Sequence, residues 1–234
     1  MENKLTIQVW SEIECPWCWV GKRRFENALA RVPFRQHVEV IYRAFRLMPG
    51  APVQPVEQVF ASKYGRTVDT ATAFAKMEEI AAADGLTYHL AGALAGDTLD
   101  AHRVVAYAKT QGLQDQTLET LYEAHFTDRV SIFDRRALVL LASKAGLDSM
   151  SVESMLASDE FVREVQDDER AARVLGVRGV PYFLMGDQLS LSGGQPVENF
   201  VAALHQAWND TNVHAVQQVN GLVCGPGECA VIEA

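Results

Sequence analysis

Residues 5–25 read Leu5-Thr6-Ile7-Gln8-Val9-Trp10-Ser11-Glu12-Ile13-Glu14-Cys15-Pro16-Trp17-Cys18-Trp19-Val20-Gly21-Lys22-Arg23-Arg24-Phe25. Leu5, Ile7 and Val9 alternate with Thr6 and Gln8, a period of two that predicts a strand. Beyond the cysteines, Val20, Phe25, Ala28 and Leu29 recur at helical spacing until Val32-Pro33 ends the pattern. Strand, turn and helix therefore follow one another, with both cysteines on the first turn of the helix. Val38, Val40, Tyr42 and Ala44 alternate again. This second strand must run parallel to the first if the helix is a crossover, so the first 45 residues read as a βαβ unit.

Outward from that unit the punctuation changes. Pro49, Gly50, Pro52 and Pro55 mark a loop. Helical patterns follow near 56–63, 68–84, 98–111, 115–126, 134–145, 151–157 and 160–175. Asp97 and Gly112 bracket one of these helices, and Asp134 and Gly146 another. The run Ala137-Leu138-Val139-Leu140-Leu141-Ala142 is apolar nearly all round and predicts a helix buried inside a bundle. Strand character returns in Val180-Pro181-Tyr182-Phe183-Leu184-Met185, then a turn at Gly186-Asp187, then 188–192, which reads as a hairpin. Pro196 sits in the first turn of a last helix whose apolar face is Phe200, Val201, Leu204 and Trp208. Residues 210–234 read as a tail with little periodicity. No internal repeat stands out.

The chain has 234 residues, 48% of them apolar and 22% charged, with 16 glycines and 8 prolines. A chain of this size buries about 70–75% of its unfolded surface without staples. Its apolar runs stop far short of the ~20 residues needed to span a bilayer, so no membrane partner is expected. The net charge of -9 repels phosphate backbones and excludes nucleic acid as the expected partner. Lys22-Arg23-Arg24 is a local basic exception. Met1-Glu2-Asn3-Lys4 runs into the first strand without the n-region, h-region and cleavage site of a signal peptide, which predicts a cytoplasmic location.

Four cysteines are too few for a disulfide scaffold. Cys-x-x-Cys between a strand and a helix, in a chain that opens with βαβ, points to a redox dithiol. A cysteine at a helix N-terminus faces unsatisfied N–H groups and the positive end of the dipole, which favour the thiolate. That makes Cys15 the nucleophile. Cys18, about one turn on, resolves the mixed disulfide. Pro16 suits the first helical position, having no N–H to lose, and Trp17 offers a partner peptide an aromatic face, or simply packs, as Trp19 also does. Lys22 and Arg23 add a weak, screened positive field.

The bland alternatives are specific. Cys15 and Cys18 are half of a four-cysteine zinc site if Cys224 and Cys229 complete it, but the spacing disfavours this and no metal is expected. Cys224-Gly225-Pro226-Gly227-Glu228-Cys229 is a glycine-proline turn that brings two thiols within reach of a small ring, either a second redox pair or a clasp on the surface. His102 reads as a hydrogen-bonded structural histidine, or else as a group near the substrate. Asp167-Asp168-Glu169, beside Arg170 and Arg173, reads as a solvated helix face.

The segment from Glu14 to Glu26 resembles the active-site segment of DsbA-like oxidoreductases of the FrnE subgroup. The resemblance extends through Thr98-Leu99-Asp100-Ala101-His102-Arg103, Ala124-His125-Phe126-Thr127, Leu175 to Phe183, and Ser192-Gly193-Gly194-Gln195-Pro196. It implies an α/β protein with a thioredoxin-like fold (1–45 and 176–209) interrupted by an inserted helical domain (46–175), and a tail at 210–234 carrying the second cysteine pair. It further implies a cis-proline at Pro181, preceded by Val180 and facing the dithiol, where a substrate strand pairs. Pro16, Trp17, Val180 and Pro181 would then line the site for protein or peptide disulfides and dithiols. The implied activity is that of a disulfide oxidoreductase or isomerase, monomeric or homodimeric, with no organic cofactor and with glutathione or another small thiol as co-substrate. Trp17 stands where strongly oxidising relatives carry histidine. The related kappa-class transferases and hydroxychromene-carboxylate isomerases, the rival reading, carry serine where this chain has Cys15.

Overall fold

The computed structural model describes residues 4–64 and 69–219, with backbone alone at 64 and from 212 on, and the backbone of 224–225 and 228–229. The chain begins β1 (Leu5–Ser11), α1 (Pro16–Leu29), β2 (Val38–Ala44), β3 (Gln54–Pro55), α2 (Val56–Tyr64) and α3 (Thr70–Ala83). It continues β4 (Leu94–Ala95), α4 (Leu99–Thr110), α5 (Gln114–Phe126), α6 (Arg135–Lys144), α7 (Ser149–Ala157) and α8 (Val162–Val174). It ends β5 (Tyr182–Met185), β6 (Leu189–Ser192), α9 (Val197–Val219), β7 (Cys224–Gly225) and β8 (Glu228–Cys229).

One sheet of order β2-β1-β5-β6 carries the fold. β1 pairs parallel to β2 with Val9 opposite Tyr42, and antiparallel to β5 with Val9 opposite Phe183. The parallel pairing needs the α1 crossover, as the opening pattern predicts. The two faces of β1 then part by alternation. Leu5, Ile7 and Val9 join the main core, while Trp10 packs with Ala172, Val177 and Leu184 under α8. On the main face α1 lies against α9, where Phe25, Phe183 and Phe200 meet edge to face or tilted at 4.7–5.8 Å between ring centroids. No described helix is long and apolar enough to cross a membrane.

Helices α2–α8 lie between β2 and β5 in the chain, and their buried residues Val104, Leu118, Leu121, Leu138 and Val152 continue the main core without a break. Buried Arg103 fastens the α7–α8 turn by donating to the carbonyls of Met155, Ser158 and Glu160 and to Asp100. A buried guanidinium persists only with its donors satisfied, and this one is satisfied locally.

Four readings need correction. The apolar run on α6 is not buried all round: Leu138, Leu141 and Ala142 are, but Leu140 is 72% exposed, because Arg135 and Arg136 turn the opposite face to solvent. Asp167-Asp168-Glu169 is not simply a solvated face. Asp168 accepts from Arg43 Nη1 and from the Ala44 amide, and Glu169 accepts from Arg46, so α8 is strapped to β2 and the loop after it. Lys22-Arg23-Arg24 is not an open basic patch. Lys22 is only 3% exposed and pairs with Glu26, Asp115 and Glu119, Arg23 with Glu119, and Arg24 with Asp84. Burial opposes the Lys22 charge, yet those three carboxylates hold its pKa up, so little of its field is left for the cysteines. Finally, α9 runs past residue 209 to Val219.

Candidate active site

β1 ends at Ser11, and four residues later Cys15 is the N-cap of α1, its amide donating to Glu12 O at 3.2 Å. Pro16 follows at the first helical position, and the Cys18 amide donates to Cys15 O at 2.9 Å, closing the first turn. This geometry separates the two sulfurs. Cys15, 8% exposed, opens on a cavity of about 600 Å³, whereas Cys18, 1% exposed, points into the core and takes the Glu12 amide at 3.4 Å. Both are free thiols. Cys15 is lowered in pKa by the Cys18 thiol and, against the penalty of burial, by the Cys18 and Trp17 amides at the helix start. Cys18 is pushed well up, first by burial and then by serving Cys15 as donor, with a Ser11 hydroxyl bond opposing. A hydrogen bond to the thiolate favours that form, and desolvation favours the thiol, so the pair is polarised.

Of the four residues expected to line the site, two line the cavity beside Cys15, while Val180 and Pro181 are not among its walls. Pro16 and Trp17 line the cavity, Trp17 being 40% exposed. Trp19 is the packing aromatic, stacked on Tyr88 and Tyr122 and donating its indole N–H to Glu119. The Val180 carbonyl lies 3.9 Å from Cys15 Sγ, and the Val180–Pro181 bond is cis. Pro181 approaches α1 at Gly21, where a Cβ would stand 2.7 Å from Pro181 Cγ. Cys224 and Cys229 face each other in the β7–β8 ladder, but their thiols lie outside the described residues. The other walls of the cavity come from α2 and α3, among them Val56, Val59, Phe74 and Met77.

Sequence reasoning missed the carboxyls of the β1–α1 turn. Glu12 is fully buried and accepts from Ile13 N at 2.6 Å, Leu47 N at 2.8 Å, Thr98 Oγ1 at 2.8 Å and His102 Nε2 at 3.1 Å. That hub gives His102 the structural role its apolar flank suggests and ties the cysteine turn to the start of α4. Glu14 lines the cavity, and its pKa is pushed up to about 8 by burial first and the neighbouring Glu12 second. Tyr88 donates to Pro16 O at 2.7 Å. His125, in the same cavity, is lowered to about 4 by burial and is neutral at physiological pH. The available signal was the pair of acids, Glu12 and Glu14, in the short turn directly before Cys15. Among the described residues no group of three or more His, Cys, Asp and Glu converges as metal ligands.

The profile of the DSBA-like thioredoxin domain family matches residues 6–205. The chain is similar to a probable DsbA oxidoreductase from Streptomyces coelicolor, with 41% identity and a TM-score of 0.86 over 98% of this chain and all of that one. It is 27% identical to the uncharacterized YwbO of Bacillus subtilis strain 168 over 77% of this chain and 86% of that protein. At 20% identity it shares a fold with the cytosolic disulfide reductase DsbM of Pseudomonas aeruginosa, solved with glutathione, with a TM-score of 0.60 over 87% of this chain and 99% of that one.

Proposed function

The chain belongs to the DSBA-like thioredoxin domain family, and from that membership we propose that it exchanges disulfides with protein or peptide substrates through Cys15 and Cys18. The observation that carries the reading is the polarity of the pair. Cys15 caps a helix, opens on a cavity and is favoured as thiolate, while Cys18 is buried and favoured as thiol. Cys15 Sγ attacks one sulfur of the substrate disulfide and forms a mixed disulfide. Cys18 then attacks Cys15 Sγ and releases the second substrate thiol, and the same steps reversed transfer a disulfide outward. Trp17 and Pro16 bear on the incoming chain, and the half-buried Val180 backbone beside Cys15, just before the buried Pro181, offers it a strand-like partner.

Finer features belong to the same proposal. The activity extends to isomerisation, the member type is the FrnE subgroup, the compartment is the cytoplasm, the protein is a monomer or homodimer, and glutathione or another small thiol is the co-substrate. Cys224 and Cys229 relay disulfides between Cys15-Cys18 and a donor or acceptor in solution. A second reading, a glutathione-dependent isomerase or transferase, draws on the apolar cavity beside Cys15, whose size suits a small molecule.

Equilibration in glutathione buffers from about -150 to -300 mV, followed by alkylation and peptide mapping, tests the reading. A reversible Cys15–Cys18 couple in that window is the expected result. Thiols that never pair, with a stable glutathione adduct at Cys15 and turnover of a small electrophile that survives Cys18→Ser, would overturn it in favour of the transferase.

A further inference from the structure

We propose that the Glu14 carboxyl is the acid–base group for the substrate sulfur that leaves from, or enters at, Cys15, which fits the site to unactivated alkyl disulfides of the cystine type. This rests on the dithiol-exchange reading above. Glu14 directly precedes the nucleophile and lines the same cavity as Cys15, Pro16 and Trp17, so a disulfide seated in that cavity meets both groups. The Gly96 amide holds Oε2 at 2.9 Å, and among the described residues no hydrogen bond is made to Oε1, which leaves that oxygen to the cavity.

The surroundings keep a proton on this group. Burial disfavours its charge first, and on its own side Glu12, the Cys15 thiolate and Asp97 add like-charge repulsion, with the Gly96 amide opposing. Across the cavity stand Lys63 on α2, Lys76 on α3 and His125 on α5. Lys76 is paired with Glu79, and His125 is buried and neutral. Leu47, Met48 and Leu94 add apolar wall. With its pKa pushed up to about 8, Glu14 is protonated at neutral pH. An alkyl thiol titrates at about 8.5, so the two are matched for proton transfer.

The chemistry balances with the protein dithiol as reductant. The Cys15 thiolate forms a bond to the near sulfur of the substrate, the substrate S–S bond breaks, and its electron pair leaves on the far sulfur, which takes the Glu14 proton. Solvent reprotonates Glu14. Cys18 gives its proton to solvent and attacks Cys15 Sγ, and the second substrate sulfur leaves with a proton delivered in the same way. The substrate gains two electrons and two protons; the Cys15–Cys18 pair loses two electrons and the Cys18 proton, and the second proton comes from solvent, because Cys15 reacts as the thiolate. In the opposite direction the Glu14 carboxylate takes the proton of an incoming thiol as it attacks Cys15 of the oxidised pair.

The test is single-turnover oxidation of the reduced full chain by two probes. Hydroxyethyl disulfide expels an alkyl thiolate that needs a proton. Dithiobis-nitrobenzoate expels an aryl thiolate that is stable without one. In Glu14→Gln the ratio of alkyl to aryl rate is expected to fall about 10²-fold, the ordinary yield of a general acid. In the native chain the same ratio is expected to fall as pH rises through about 8, and in the variant to be flat. A native ratio that does not change through that pH, or a variant that loses both rates in proportion or neither, overturns the role of Glu14 and leaves dithiol exchange standing. If the native chain is oxidised by neither probe, the exchange reading falls and this assignment falls with it.

Discussion

Two thiols one helical turn apart are shifted in opposite directions, Cys15 toward thiolate by the Cys18 thiol and the amides of the helix start, Cys18 toward thiol by burial beneath it. Alkylation should therefore be selective: at pH 7 the Cys15 peptide of the reduced chain is expected to react at least about tenfold faster than the Cys18 peptide, read by mass spectrometry over time. Equal rates would remove the assigned polarity. Glu14 makes a second prediction, in stability. Its folded pKa of about 8 lies above the ordinary 4.5, so the stability tied to its neutral form is complete below about 4.5 and is lost as pH rises through about 8. Glu14→Gln should then match the native chain near pH 4 and exceed it by an amount that grows to pH 8 and levels off, on the order of 2–4 kcal/mol. Thermal melts across that range check it. The placement of Cys15, Trp17 and Cys18 at the start of a helix was legible from the motif alone. Glu12 and Glu14 were not, because a carboxylate in sequence carries no mark of its burial.

Helix α1 does two jobs, presenting the dithiol at its N-terminus and receiving the Pro181 loop at Gly21. A methyl group at Gly21 would meet Pro181 Cγ at 2.7 Å, closer than packed carbons allow, so the loop must move away from Cys15. Gly21→Ala is expected to cost about 1–3 kcal/mol in denaturant unfolding and to slow attack on a peptide disulfide, while a small aryl disulfide is affected less. Equal effects on both would mean that the loop does not serve the substrate backbone. The helices between β2 and β5 were placed within a few residues by their periodicity and by ends such as Asp134, which accepts from the Ala137 amide. Periodicity misjudged α6, because six apolar residues in a row carry no information about which of them a neighbour will cover.

The central sheet and the long helical segment are joined by polar contacts as well as by packing. Asp168 on α8 binds Arg43 and the Ala44 amide at the end of β2, and its own carbonyl accepts from Trp10 Nε1 at 2.9 Å. Arg46 bridges Asp97 and Glu169. Leaving the Ala44 amide and the Arg43 guanidinium without this partner costs about 1.5–3 kcal/mol by the usual worth of charged hydrogen bonds. Asp168→Ala should lower the denaturant midpoint accordingly and leave the rate of Cys15 alkylation within about twofold, since no bond of Asp168 reaches the dithiol turn. A larger change at Cys15 would show that the strap also sets the site.

Local chemistry and period were enough to announce the βαβ opening, the helical middle, the closing hairpin and the pairing of two thiols at the start of α1, because each is written in neighbours within a turn or a strand. Which cysteine faces the cavity, which acids are buried beside it, and how Lys22-Arg23-Arg24 is neutralised depend on residues about a hundred positions apart, such as Glu12 with His102 and Lys22 with Glu119. Charge and pKa follow from desolvation and partner distance. Those quantities exist only once α4 and α5 have packed against the turn after β1.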